Sequence, residues 1–493
     1  MAFAFHMKKN NIGIGTVLLI SLTIMAMGCK QESKYTLNQK SERPNVLFIM
    51  VDDLRPELGI YGAKHIHSPN IDKLGGQSIV FERAYVNVPV CGASRASILT
   101  GLRPTLNRFK GYDSRKSSDC PEAISMPQYF KQHGYRTYSF GKIYHFADDD
   151  KSAWDENWRP RYSNESGFRD YQDKENLEIL NSLDDWSGTF KSALPYEKAN
   201  LPDTAYFDGR LANKTIATLK LLNKSKTPFF LAVGFFKPHL PFNAPTKYWD
   251  LYDSTQIKLP ANYLRPESTP KEAFHHFGEL RHYYNVPKKG DLQDAMARKM
   301  IHGYYASLSY ADAQVGKILD ELERPGLSEN TIFVLIGDHG WNLGDHKMWC
   351  KHCNFESSLH TPLIIKVPGK KPRRVKSIVE FIDIYPTLLE LTGLPKKQDV
   401  QGESMAALLQ GKNRGKDYAI VKYNSGVTLI KDDLFYTEYV NDSLDVQARM
   451  LFDHKRDTLE LENLSEHPNY QKTVRDMHMA LREKWCLKPD NKR

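Results

Sequence analysis

The sequence predicts an α/β domain built on a mostly parallel central sheet flanked by helices, with a small antiparallel sheet and one helix at its C-terminal end. Three observations predict this. Uninterrupted apolar runs of strand length end on small or charged residues, as buried parallel strands do. Helical patterns separate those runs, giving the alternation of a doubly wound sheet. After Gly411 the texture changes to short runs at hairpin spacing.

The first run, Asn45–Val51, is the most continuous, and Asp52 and Asp53 close it. Ile79–Val86, Arg136–Phe140, Pro228–Phe235, Thr331–Ile336 and Pro362–Val367 read as further strands. Helical patterns fall at Ser94–Leu102, Ser125–His133, Phe207–Leu222, Asp291–Glu323 and Ile382–Leu391. Asp148–Pro202 is polar, with Trp154, Trp158, Tyr162, Tyr171 and Trp186 scattered through it. It reads as an insertion, centred on 150–202, that covers a pocket. Its rings either stack on a ligand or pack the insertion onto the body. Tyr418–Tyr423, Gly426–Ile430, Leu434–Val440 and Ala448–Phe452 read as four short strands, with a last helix at about Tyr470–Trp485. The chain therefore divides into a main domain, 44–410, and a smaller one, 411–493.

At 493 residues the chain is too long for one ordinary compact unit, so a large and a small domain are the default. Hydrophobic residues make up 41%, which excludes disorder. The net charge of +9 comes from basic residues spread along the chain. Such an excess suits an anionic substrate, suits nucleic acid nearly as well, and is also an ordinary solvated surface. Lys8 and Lys9 precede a nearly unbroken apolar stretch, Thr16–Met27. About a dozen such residues are too few to span a bilayer but suit a signal-peptide core. The stretch ends Ala26-Met27-Gly28-Cys29, which resembles the bacterial lipobox. That reading gives a signal peptide over 1–28, a lipidated Cys29 and a polar tether over 29–43, with Met7 as a second candidate start. An ordinary signal peptide and an uncleaved anchor are the alternatives. Export as a lipoprotein held on a bacterial membrane is the expectation. An oxidising compartment would then leave Cys120, Cys350, Cys353 and Cys486 for one or two disulfides. Cys350-Lys351-His352-Cys353 has no second pair at metal spacing and reads as structural.

The chemistry lies in a few segments. Two adjacent carboxylates at a strand end, Asp52-Asp53, repel each other unless a cation joins them, although a plain strand-end turn is the commoner origin of such a pair. Gly337-Asp338-His339-Gly340 follows its strand in the same way. Ligands gather at the carboxyl ends of strands in such sheets, so the two segments are expected to meet. Three aspartates without a nearby thiolate favour Ca²⁺ or Mg²⁺ over zinc. Cys91-Gly92-Ala93-Ser94-Arg95-Ala96-Ser97-Ile98-Leu99-Thr100-Gly101 opens a helix on a cysteine and small residues. In that positive N-terminal field the cysteine is an activated thiol or part of an anion site.

This segment resembles the sulfatase signature, Cys-x-Pro/Ala-x-Arg followed by a hydrophobic stretch and Thr-Gly. Other motifs arrive in that family's order: Asn45–Asp53, Ser68–Leu74, Gly141-Lys142-Ile143-Tyr144-His145, Lys237-Pro238-His239-Leu240-Pro241-Phe242, Gly337–Gly340 and Lys351. They span roughly residues 44 to 370, and Leu451–Lys455 with Asn463-Leu464 resembles the family's closing strand. The Lys-Pro-His-x-Pro-Phe run, the histidine after Asp338 and the stretch Lys351-His-Cys-Asn354-Phe355 are most similar to the iduronate-2-sulfatase-like group. Ala93 stands where Pro is common, as it does in bacterial cysteine-type sulfatases.

The resemblance implies an alkaline-phosphatase-like fold and a Cys91 oxidised to formylglycine (3-oxoalanine). A formylglycine-generating enzyme or an anaerobic sulfatase-maturating enzyme would perform that step. It implies one Ca²⁺ held by Asp52, Asp53, Asp338 and His339 with the modified Cys91. Arg95, Lys142 and Lys351 would neutralise the sulfate, and a hydroxyl of the hydrated aldehyde would attack sulfur. His239 would protonate the leaving oxygen, and His145 would help expel sulfate. The implied substrate is a sulfated polysaccharide or its oligosaccharides, either a 2-sulfated uronic acid of glycosaminoglycan type or the sulfated rhamnose and uronate of ulvan. A phosphatase of the same superfamily usually carries Thr or Ser and two zinc ions with extra histidines, which are absent at the matching positions. A phosphonate monoester hydrolase shares the modified cysteine and stays open. An inactive glycan-binding lipoprotein should have lost a motif residue, and none is missing. Nucleic acid explains the charge but none of the motifs, so no nucleic-acid partner is expected. His275 and His276 match nothing and read as surface residues.

Overall fold

The computed structural model describes residues 43–161, 167–183, 192–412 and 415–485. The signal peptide, Cys29, all of the tether but Arg43, Tyr162, Trp186 and Cys486 lie outside the described residues. From Arg43 on, the chain forms one compact unit.

Eight strands make the main sheet: β1 (Asn45–Val51), β2 (Ile79–Phe81), β3 (Arg136–Gly141), β4 (Glu156–Trp158), β5 (Phe229–Phe235), β6 (Thr331–Gly337), β7 (Leu363–Lys366) and β8 (Arg373–Val375). Their order is β8-β2-β7-β6-β1-β5-β3-β4. β1 lies between β6 and β5 and runs parallel to both. β3 pairs parallel with β5 and β4, while β7 is antiparallel to both of its neighbours. The sheet is therefore mixed on one side and parallel where it carries the site.

Both faces of β1 are buried, which explains its unbroken apolar run. Leu47, Ile49 and Val51 join one core with the helices α3 (Phe207–Leu222) and α4 (Asp294–Leu322). Val46, Phe48 and Met50 join the opposite core with α1 (Cys91–Thr100), α2 (Met126–Gln132) and α5 (Ile384–Leu391). Side chains alternate across a strand, so each residue of β1 serves one layer of helices. α1 ends on Gly101, whose φ of 68° lets its N–H cap Ser97. The Ser125 hydroxyl caps α2 by accepting from Gln128 N, with a proline at the helix start.

The expected strand Ile79–Val86 divides at Glu82-Arg83. Its second part, Ala84–Tyr85, leaves the main sheet and pairs with Val379–Glu380. The described parts of the 150–202 stretch are woven into the body. β4 extends the sheet beside β3, and Tyr196–Ala199 pairs with Phe242–Pro245. Its described rings, Trp154, Trp158 and Tyr171, are packing residues as a result. Trp154 lies against Phe230, Trp158 packs edge-on against Phe140, and the fully buried Tyr171 donates to the Leu194 carbonyl at 2.5 Å.

The C-terminal strands β9 (Tyr418–Tyr423), β10 (Gly426–Lys431), β11 (Leu434–Val440) and β12 (Val446–Asp453) form an antiparallel meander. One face packs on α6 (Gln471–Lys484) through Val474, Met477 and Leu481, and the other meets Tyr85, Phe355 and Leu359. Cys120, Cys350 and Cys353 are free, so the expected disulfides do not form among the described residues. Each thiol has its own enclosure. Cys120 packs beside Val88 and Phe109, Cys350 pairs in register with Asn342, and Cys353 Sγ lies 3.1 Å from Ser358 Oγ.

Phe230 is fully buried against Phe48, Phe130 and Trp154. Phe230→Ala is expected to cost about 3–5 kcal/mol, read as a lower urea midpoint with an unchanged slope.

Candidate active site

The two central strands end in the acidic segments. Asp52-Asp53 follow β1, and Asp338-His339 follow β6, all four at 0% exposure. Asp53 has φ 59°, a left-handed conformation that Asp tolerates, and it turns adjacent carboxylates toward one site. Asp53 N donates to Asp338 Oδ1 at 3.0 Å, which ties the two loops together.

The head of α1 meets these carboxylates. Cys91 Sγ lies 3.1 Å from His339 Nε2. Arg95 comes one turn later on the same helix face. Its Nε donates to Asp338 Oδ2 at 2.8 Å and its Nη2 to Asp52 Oδ1 at 2.9 Å, while Nη1 donates to the carbonyls of Lys142 and Ile143. Lys142 Nζ donates to the other Asp52 oxygen. Gly92 packs so closely under the next loop that a Cβ there would lie 2.0 Å from the Tyr112 carbonyl oxygen.

Lys351 Nζ reaches Asp53 Oδ1 at 3.1 Å and Glu279 Oε1 at 3.0 Å. His239 Nε2 meets the same Glu279 oxygen at 3.0 Å, and its Nδ1 donates to the Leu240 carbonyl at 2.6 Å. The buried Lys237 donates to the carbonyls of His239 and Pro241, which fixes the loop presenting His239. Sequence reasoning missed Glu279. It sits on a single helical turn, Gly278–Arg281, in a stretch without hydrophobic periodicity. The nearest sequence signal was the unmatched pair His275-His276, of which only His276 is exposed.

Charge is uneven across this cluster. Burial opposes ionising Asp52, but the Lys142 and Arg95 cations prevail and hold its carboxyl well below the usual range. For Asp53, burial and the neighbouring Asp52 outweigh Lys351 and hold the carboxyl well above it. Burial, with Asp52 beside it, pushes the Cys91 thiol up to about 12. Burial and Lys142 depress His145 to about 2. Burial, Lys351 and Lys142 lower His239, while Asp52 and the Glu279 hydrogen bond work the other way.

These residues fit a hard cation. Asp52, Cys91, Asp338 and His339 each place one ligand atom within 4.8 Å of the others. His339 Nδ1 donates to the Gly340 carbonyl at 2.9 Å, which leaves the Nε2 lone pair facing Asp53 Oδ1 at 3.5 Å and Asp338 Oδ2 at 3.6 Å. A backbone carbonyl fixing the far ring nitrogen is the usual support of a metal-binding imidazole. A carboxyl held as high as Asp53 marks where a further positive charge would settle.

Nine of the ten residues expected from sequence thus form one contact network: Asp52, Asp53, Cys91, Arg95, Lys142, His239, Asp338, His339 and Lys351. His145 stands at its margin. Its ring meets Tyr112 and Phe146, and its Nδ1 is buried without a partner.

A family model described as Sulfatase matches residues 44–394. The chain belongs to the sulfatase family. A second model, N-sulphoglucosamine sulphohydrolase, C-terminal, matches residues 344–485. The chain is 33% identical to iduronate 2-sulfatase of Mus musculus over 77% of its own length and 74% of that protein. It is 33% identical to a sulfatase of Formosa agariphila over 86% and 84%. A solved structure in complex with D-glucosamine-2-N,6-O-disulfate superposes with a TM-score of 0.72 at 21% identity, covering 92% of this chain and 100% of that one. The fold is therefore the alkaline-phosphatase-like one the resemblance implied, and as a sulfatase the protein is a sulfuric ester hydrolase.

Because the Glu279 hydrogen bond raises the proton affinity of His239, Glu279→Gln is expected to lower it. His239 would then lose its proton at lower pH, read as a downward shift of its imidazole titration by NMR. An unmoved titration would show that Glu279 does not govern His239.

Proposed function

We propose that this sulfatase removes sulfate from a sulfated glycan, through Cys91 converted to formylglycine and with Ca²⁺ at Asp52, Asp53, Asp338 and His339. The observation that carries the reading is the Cys91 thiol. It heads a helix among three buried cations and lies 3.1 Å from His339 Nε2, where burial pushes the thiol up to about 12. Such a position suits a nucleophile made by modification better than a thiolate. Converted to formylglycine and hydrated, residue 91 would supply a geminal diol as nucleophile. The cation would supply Lewis-acid polarisation of a sulfate oxygen.

The chain's own residues supply the rest. Lys142 and Lys351 offer cations at opposite sides of the carboxylate cluster, and Arg95 holds the nucleophile's end of α1 against Asp52 and Asp338. Charge growing on sulfate oxygens meets a preorganised positive site. His239, paired with Glu279, is placed to protonate the leaving sugar oxygen. His145, whose buried Nδ1 has no partner among the described residues, is the candidate base for the nucleophile's second hydroxyl.

Similarity to iduronate 2-sulfatase favours a 2-sulfated uronic acid of glycosaminoglycan type, with the sulfated rhamnose and uronate of ulvan as the competing substrate. Cys91 is only 2% exposed, so a formylglycine-generating or anaerobic sulfatase-maturating enzyme has to act before the chain folds. Ala26–Cys29 supports export and a lipid anchor.

Sulfate release from a panel of defined sulfated oligosaccharides tests the reading, with phosphonate esters as controls. Cys91→Ala is expected to abolish release. His239→Ala should slow unactivated sugar sulfates by ~10²–10⁴ and activated aryl sulfates much less. Equal losses on both would remove His239 as the acid, and preference for phosphonates would overturn the function.

A further inference from the structure

Residues 265–290 line an open cavity of about 460 Å³ whose wall carries Arg265, Arg281, Lys288 and Lys289 beside the rings of Phe274 and Phe277. None of these belongs to the catalytic network. Arg281 is buried, with its guanidinium 3.8 Å from the Phe277 ring centroid. It donates to the carbonyls of His276, Pro287 and Gly290, all neutral acceptors, and Asp291 acts on its charge without a direct ion pair. Lys288 Nζ likewise donates to a carbonyl, that of Arg281. Among the described residues, the one carboxylate paired with any of the four cations is the exposed Asp291, 3.6 Å from Arg265.

The cavity adjoins the catalytic groups through one turn of chain. Glu279, on the turn Gly278–Arg281, reaches Lys351 and His239, while Arg281, two residues later, forms the cavity wall. His275, also in the wall, meets His352 edge-on at 5.9 Å, next to Lys351. Four cations lining one concavity, one of them a buried arginine with no carboxylate in contact, favour an anion between them. Guanidinium and ammonium groups beside aromatic faces suit the sulfate or carboxylate of a sugar whose ring packs on the aromatics.

We propose that this cavity is a second anion subsite, holding a sulfate or carboxylate on the sugar next to the one being desulfated. The inference rests on the glycan reading above and extends it, because it makes this sulfatase prefer a charged oligosaccharide to a single sulfated sugar. The subsite binds the chain that trails from the reacting sugar and takes no part in the chemistry.

Lys288, Lys289 and Arg265 are exposed, so their reversal leaves the core intact. Two variants test the subsite: Lys288→Glu with Lys289→Glu, and separately Arg265→Glu. KM is measured for a tetrasaccharide bearing an anionic group on each sugar, for its sulfated monosaccharide and for an aryl sulfate. The tetrasaccharide KM should rise at least about fivefold, with kcat and both smaller substrates unchanged. An unchanged tetrasaccharide KM, or an equal rise for all three substrates, overturns the subsite. Calorimetric binding of the same tetrasaccharide to Cys91→Ala protein, with and without the reversals, separates the two readings. Binding weakened by the reversals supports the subsite even if wild-type protein releases no sulfate from glycans, which would refute the glycan reading alone. Binding that is absent, or unaffected by reversal, overturns the subsite even if sulfate is released.

Discussion

Arg95 joins the carboxylates that end the two central strands, with Asp52 on one side and Asp338 on the other. All three side chains are at 0% exposure. In water such contacts contribute little, but burial costs each carboxylate several kcal/mol of solvation, and losing a partner would leave that cost uncompensated. Lys142 on Asp52 and Lys351 on Asp53 complete the balance, and the neighbouring elements serve to hold these cations in place. α1 brings Arg95, the loop after β3 brings Lys142, and the short strand Trp349–Cys350 leads into Lys351. The central parallel strands set where the carboxylates start, and the cations set how closely they approach.

The same balance explains why Asp53 and Cys91 are the least settled groups of the site. Asp52 has two cations of its own, whereas Asp53 shares Lys351 with Glu279. An ion seated beside Asp53 and His339 would relieve this local deficit. It would also hold residue 91 in a positive surround where an oxygen nucleophile is better placed than a protonated thiol.

Much of this was legible in the sequence. β1 could be read because both its faces are buried, so every residue from Val46 on is apolar until the chain reaches solvent-free carboxylates. α3, whose bounds match Phe207–Leu222, shows the 3.6-residue period of a helix lying on a sheet. Asp52, Asp53, Cys91, Arg95, Asp338 and His339 were readable beside strand ends and a helix start, whereas Lys142, His145, His239 and Lys351 were found through the family resemblance. Glu279 was not, since a single turn has no period and its role exists only once Lys351 and His239 fold beside it. The direction of β7 was hidden for a related reason: a short apolar run records burial, not the sense of its pairing. Of the two roles the sequence left open for Trp154, Trp158 and Tyr171, the folded chain realises packing onto the body. The diffuse charge of +9 also acquires a place, since part of it gathers at the cavity beside Glu279.

The central claim is that the buried carboxylates form a seat for one hard cation. Calorimetric titration of Ca²⁺ into the folded, metal-stripped protein, with Asp53→Asn alongside, tests it most directly. The account expects saturable binding of a single ion per chain, a rise in Tm on binding, and affinity at least about tenfold weaker in the variant. Titration with no saturable heat and an unchanged Tm would contradict it.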